Sequence, residues 1–184
     1  MQPWLHRPVS DLSPRAATAG EWVLLAYRLP REPSGPRTTL WRRLKRLGVA
    51  KLADGLVALP ADARTRESLE WLVDDVVAAD GTAGLWVARP GTVAQERELA
   101  TQMSAARGAE YRALAESCRR AATGTDPVER TRALRRLRDE WRAVDRRDFF
   151  PPPEREPAAA ALRDLAAVVA GDTAPTAEVP EVAR

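Results

Sequence analysis

The chain has 184 residues, 45% hydrophobic and 30% charged, with a formal net charge of +3. That length supports one domain with a real core plus an appendage, and the hydrophobic content excludes wholesale disorder. One cysteine, Cys118, and one histidine, His6, rule out an intramolecular disulfide and fall short of the three or four Cys/His ligands of a zinc site.

Histidine-dependent acid–base catalysis is disfavoured for the same reason, and no Gly-rich phosphate loop or Gly-x-Ser-x-Gly motif occurs. The chain is therefore expected to be non-enzymatic, with no catalytic residues, no metal and no cofactor. No apolar run approaches the roughly 20 residues of a membrane span. Asp11, Arg15 and the prolines at 3, 8 and 14 interrupt any secretory signal. A cytoplasmic location without membrane contact follows as the expectation. Of the 29 basic residues, 27 are arginine, whose planar fork suits phosphates and carboxylates.

In chain order, residues 1–20 read as an arm without regular structure, with Trp4 and Leu5 able to dock. WVLLAY at 22–27 is a short apolar run stopped by Pro30, the pattern of a strand buried on both faces. PREPSGP at 30–36 reads as a turn. From Arg37 to Leu47 the spacing predicts a helix with Leu40, Trp41, Leu44 and Leu47 on one side and Arg37, Arg42, Arg43, Lys45 and Arg46 on the other, closed by Gly48. VAKLA-DG-LVAL at 49–59 predicts a hairpin with a type I′ turn, which needs positive φ at Asp54 and Gly55. A second helix is predicted over 65–79, with Leu69, Leu72, Val73, Val76 and Val77 inward and a cap from Thr65 and Ser68. TAGLWVA at 82–88 is the last strand.

The order β-α-β-β-α-β over 21–91 predicts an α+β, ferredoxin-like sandwich. Beyond it, over 92–170, the pattern is helical. Leu99, Met103, Ala106, Tyr111, Leu114, Cys118 and Ala121 trace one stripe, and Cys118 on that stripe reads as a core thiol. Asp126-Pro127 starts the next helix, whose Leu134, Leu137, Trp141 and Val144 form a narrow seam. The pair is predicted as an antiparallel αα-hairpin. Phe149 and Phe150 would anchor its end, a short helix would follow at 158–170, and 171–184 read as a disordered tail.

The segments WVLLAYRLPREPSGPR (22–37), LWRRLKRLGVAKLADGLVALP (40–60), TRESLEWL (65–72) and DFF (148–150) resemble the N-terminal domain of the ChrB family, regulators of chromate resistance, over about residues 20–165. The resemblance implies a role in chromate-responsive transcription, exercised through DNA. Longer members carry a second domain where this chain ends, so a separate chain supplying that domain is an expected partner. A more distant likeness is to the middle domain of PaaX-type repressors and to the small nuclease subunit of CRISPR integration complexes. In that nuclease a carboxylate closes the first strand to hold a divalent ion. Here Arg28 stands in that place, which argues against nuclease activity.

The candidate site is the basic block comprising Arg28, Arg31, Arg37, Arg42, Arg43, Lys45 and Arg46. From Arg31 to Lys51 there are seven basic residues against Glu32 alone, a phosphate-binding footprint for DNA. Acidic partners, oxyanions such as chromate or sulfate, and a plain solvated face are the competing readings. The arginines between 130 and 147 alternate with acids and are expected to pair along their helix. Asp74-Asp75 and Glu67/Glu70 read as solvated face. Trp22, Trp41, Trp71 and Trp86 are expected at core or core-edge positions. A dimerising or adaptor module, built on open sheet edges and the helical hairpin as a homodimer, is the alternative without nucleic acid.

Overall fold

The computed structural model describes residues 20–173. The expectations for the arm up to residue 19, including Trp4, Leu5 and His6, and for 174–184 lie outside the described residues. The architecture is mixed α+β. Its elements are β1 (Trp22–Arg28), α1 (Ser34–Leu47), β2 (Ala50–Ala53), β3 (Leu56–Pro60), α2 (Ala63–Ala78), β4 (Thr82–Ala88), α3 (Val93–Ala122), α4 (Pro127–Asp145) and α5 (Arg155–Thr173). They fall into two compact units. The first holds the described residues up to Lys45 with Val49–Arg97, and the second Arg46–Gly48 with the described residues from Glu98 onward.

In the first unit the four strands form one antiparallel sheet in the order β2-β3-β1-β4. Side chains alternate across a strand, so Val23 and Leu25 share a face with Leu59 and Val57, their partners on β3. All four are buried, as are Leu40 and Leu44 of α1 and Leu69, Leu72 and Val76 of α2. β1 is buried on both faces only in its first half; Ala26 and Tyr27 are half-exposed and Arg28 exposed.

Several local expectations are corrected. α1 begins at Ser34, so Ser34, Gly35 and Pro36 form its first turn instead of a loop. Proline is tolerated there because first-turn N–H groups have no intrahelical acceptor to lose. α2 is capped by Asp62, whose carboxylate accepts the Thr65 N–H at 2.6 Å while Thr65 Oγ1 accepts the Asp62 N–H at 3.0 Å. Ser68 instead donates to the Arg64 carbonyl. In the hairpin only Gly55 has positive φ, at 75°. The turn is not type I′. Register is restored by a bulge at Leu52, since Lys51 pairs with Val57 but Ala53 with Leu56. Val77 is 57% exposed, so the apolar stripe of α2 is narrower than the spacing suggested.

Of the four tryptophans expected at core or core-edge positions, only Trp22 is buried. Trp41, Trp71 and Trp86 are 60%, 65% and 64% exposed. Trp41 and Trp71 each sit one residue from a buried leucine, about 100° around the helix and off its inward stripe. Trp86 lies on β4, at the sheet's edge.

In the second unit three helices share one core. Tyr111, Leu114, Ala115 and Cys118 of α3 meet Leu134, Leu137 and Val144 of α4 and Ala158, Ala161, Leu165 and Val169 of α5. α5 is therefore a full core member of 19 residues, not a short helix behind a two-helix hairpin. It opens upstream of Pro157, and the expected tail begins too early, because 171–173 are helical. Arg130 Nε of α4 donates to Asp172 at 2.7 Å and ties down that last turn. Cys118 is fully buried, and burial pushes its thiol up. On α3 the buried stripe passes through Arg107, while Ala106 is exposed.

The polar residues near that stripe are joined in a network. Glu110 accepts from Arg107 at 3.1 Å and from Arg147 at 2.9 Å. Tyr111 donates its hydroxyl to Asp148 Oδ2 at 3.0 Å. The Asp148 side chain is 1% exposed, and its Oδ1 has no hydrogen-bond partner among the described residues. Burial pushes the Asp148 carboxyl above its usual range, against the opposing pull of the Tyr111 hydrogen bond and Arg155. The folded chain thus holds this proton more tightly than the unfolded chain. The stability it contributes is complete below the unfolded pKa and is lost as pH rises through the folded one. Urea unfolding from about pH 4 to pH 7 should show the wild type losing stability relative to Asp148→Asn as pH rises. Parallel profiles for the two proteins would contradict it.

Candidate nucleic-acid interface

α1 turns Leu40 and Leu44 inward, which leaves the rest of its circumference to charge. Arg37, Arg42, Lys45 and Arg46 are exposed along it, and Arg28 and Arg31 are exposed at the end of β1 and in the loop leading to the helix. Among the described residues, Arg43 is the one member of the block with an ion-pair partner: it donates to Asp75 of α2, both side chains about two-fifths exposed. Arg28, Arg31, Arg37, Arg42, Lys45 and Arg46 have none among those residues. The Lys45 ammonium lies 5.3 Å from the centre of the Trp41 ring, a cation–π contact that leaves its charge in place.

Nothing in the helix itself compensates this charge. α1 carries no acidic residue in its first turn, although the partial positive charge of a helix N-terminus favours one there. Arg37 adds a full positive charge near that end. An anion placed along this surface would meet uncompensated guanidinium groups and, at the first turn, free N–H donors.

A cleft of about 260 Å³ lies beside the block, lined by Leu29, Pro36, Thr39, Leu40, Arg43, Asp75 and Val76. It is smaller than the roughly 300 Å³ at which small-molecule sites begin, and its two charged residues neutralise each other. Among the described residues no three His, Cys, Asp or Glu side chains cluster as metal ligands, and no helix is long and apolar enough to cross a membrane.

The second basic stretch departs from expectation. Arg132 pairs with Glu129, and Arg142 with Asp139 at 2.8 Å, both three residues apart on α4. Arg130 and Arg147 reach instead to Asp172 and Glu110 of other helices. Arg135, Arg136, Arg138 and Arg146 are exposed without an ion pair among the described residues, so pairing along the helix explains only part of the stretch. Also missed was Trp41, an exposed aromatic within the basic helix. Its position 100° from Leu40 was the available signal.

No curated protein matches the chain. The family model described as "Protein ChrB, N-terminal" matches residues 37–175, from the body of α1 past the end of α5. The match begins after most of the β1 and loop segment that also carried the likeness, and covers the basic helix, the hairpin and all three helices of the second unit. On a match spanning well over half its length, the chain belongs to the ChrB N-terminal family.

Proposed function

We propose that this chain is a non-enzymatic, cytoplasmic regulatory protein of the chromate-resistance type that binds DNA by laying the exposed cations of α1 along the phosphate backbone. The observation that carries the reading is the uncompensated charge: of the seven cations in the block, Arg43 alone has an ion-pair partner among the described residues. A solvated face held by its own carboxylates would show the pattern of Arg119 and Arg120, which both pair with Glu116. The reading takes the first unit as a ferredoxin-like sandwich, supported by its strand order, and α3 with α4 as an antiparallel αα-hairpin backed by α5. Exposed Arg28 at the end of β1 supports the non-enzymatic part, since a cation there opposes a divalent ion.

Phosphate contacts supply affinity without reading sequence. Arg37→Ala, Arg42→Ala and Arg46→Ala combined should therefore weaken binding to unrelated duplexes alike and lower the salt slope by about 1 per arginine. Arg119→Ala with Arg132→Ala, which removes two paired arginines, should leave binding within about twofold, in line with the small energy of exposed ion pairs. Fluorescence anisotropy with labelled duplexes checks both. Undiminished binding by the α1 variant, or an equal loss in the control, would overturn the reading.

A further inference from the structure

The sheet has two edges, and the chain treats them differently. The β2 edge is four residues long, carries the bulge at Leu52, and bears Lys51, whose ammonium pairs with Asp54 at 2.6 Å. Shortness, a bulge and lysine are the devices by which an edge avoids pairing with another chain. The β4 edge has none of them. It runs for seven residues, TAGLWVA, in unbroken register with β1 from Thr82 to Ala88, without charge or proline. Its outer side has no strand partner among the described residues. Trp86 and Val87, which point to opposite faces, are 64% and 57% exposed.

We propose that β4 is a dimerisation edge, pairing antiparallel with β4 of a second copy of this chain about a two-fold axis and joining the two sheets. Charge complementarity selects a second copy. The strand is flanked by exposed Asp80, with no ion pair among the described residues, on one side and by exposed Arg89 on the other. Arg89 shares a solvent-exposed pair with Glu21 of its own chain at 2.8 Å and keeps room for a second carboxylate. Antiparallel apposition of identical strands sets the acidic end of each beside the basic end of the other, with only uncharged residues between. A parallel arrangement would set like against like. With the pair centred on Leu85, Trp86 of one copy falls opposite Gly84 of the other. The indole already lies over its own chain's Gly84, 3.4 Å from where a β-carbon would stand, so in the pair the two indoles would meet each other over the two glycines and stack across the axis. A closed two-fold contact of this kind is self-complementary. Its extent, one strand pair with two apolar side chains per copy, places it among small interfaces that form and dissociate with concentration.

Sedimentation velocity on the full chain, from low micromolar to hundreds of micromolar, tests this. The mass should rise from one chain toward two. Trp86→Glu with Val87→Lys should hold it at one chain with an unchanged far-ultraviolet circular dichroism spectrum, while Leu52→Lys on the other edge should leave association intact. Hydrogen exchange on the wild type supplies a second readout, should the double variant fold poorly. Amides of 82–88 should gain protection with concentration, and those of 50–53 should not. A single-chain mass throughout, a dimer that survives the double variant, or protection appearing at 50–53 instead would overturn the proposal. The variants leave every cation of α1 in place, so the outcome is independent of the phosphate-binding reading.

Discussion

Replacing Tyr111 by alanine is expected to cost about 4–8 kcal/mol, the sum of a buried aromatic truncation and an orphaned buried acceptor. Tyr111 is 0% exposed and the largest fully buried side chain among the described residues. Its ring packs at 5.1 Å and a 48° tilt against Trp141, and its removal leaves a cavity bounded by three helices that cannot all collapse inward. Its hydroxyl is the hydrogen-bond donor to Asp148, because the Arg155 Nε, at 3.8 Å, is too far to replace it. Tyr111→Phe isolates the polar part and should cost about 1–3 kcal/mol. That smaller cost should shrink in acid, where a protonated Asp148 needs fewer donors. Total domain stabilities lie near 5–15 kcal/mol, so the alanine variant should be largely unfolded or close to it. Urea denaturation measures both. A neutral Tyr111→Phe would mean that Asp148 finds another donor.

The second large effect concerns Gly55 in the hairpin of the first unit. Its φ of 75° lies in the left-handed region, and a β-carbon there would fall inside contact distance of the Tyr27 carbonyl oxygen. That atom belongs to the central strand and cannot swing away. The same approach carries a hydrogen bond, the Tyr27 N–H donating to the Gly55 carbonyl at 2.7 Å. Gly55→Ala therefore adds a left-handed penalty of about 1–2 kcal/mol to the disturbance of a bond worth about 0.5–1.5 kcal/mol. Gly171→Ala is the counterpart. Gly171 lies in the last turn of α5 with no proline directly after it. No heavy atom outside its chain neighbours and the helix's own backbone lies within 4 Å of a β-carbon there, and the substitution should stabilise by about 0.4–1 kcal/mol. Opposite shifts in thermal midpoint are the expected result, and equal shifts would contradict the account.

The strands were legible because each is a short apolar run closed by strong punctuation. β4 is found at its predicted bounds, and the Asp126-Pro127 start of α4 is found with the Asp126 carboxylate accepting the Val128 N–H at 2.8 Å. The helix starts at Ser34 and Arg155 were not legible, both for one reason. Pro36 and Pro157 look like breakers in sequence, yet a proline three residues into a helix removes no internal hydrogen bond. The reach of α5 to Thr173 rests on tertiary contacts, the buried Leu165 and Val169 and the Arg130–Asp172 pair, which no local pattern announces.

At the candidate site the basic helix itself was legible from its spacing, but not which cations stay unpaired. Arg42 and Arg43 are indistinguishable in sequence, and only the approach of Asp75 on α2 separates them. The tryptophans failed for a related reason. Their hydrophobicity argued for burial, whereas helix phase at Trp41 and Trp71 and an edge position at Trp86 put them outside. Arg107 was invisible in the opposite sense: a charge on the inward stripe is expected outside until Glu110 is seen to hold it.

The most direct measurement is the salt dependence of DNA binding by the unaltered chain. If the six cations of the block without an ion pair among the described residues meet phosphates, a plot of log K against log salt concentration should fall with a slope of about −5, near −0.9 for each phosphate neutralised. A flat plot, or no binding at low salt, would contradict the claim that the uncompensated charge on α1 serves nucleic acid.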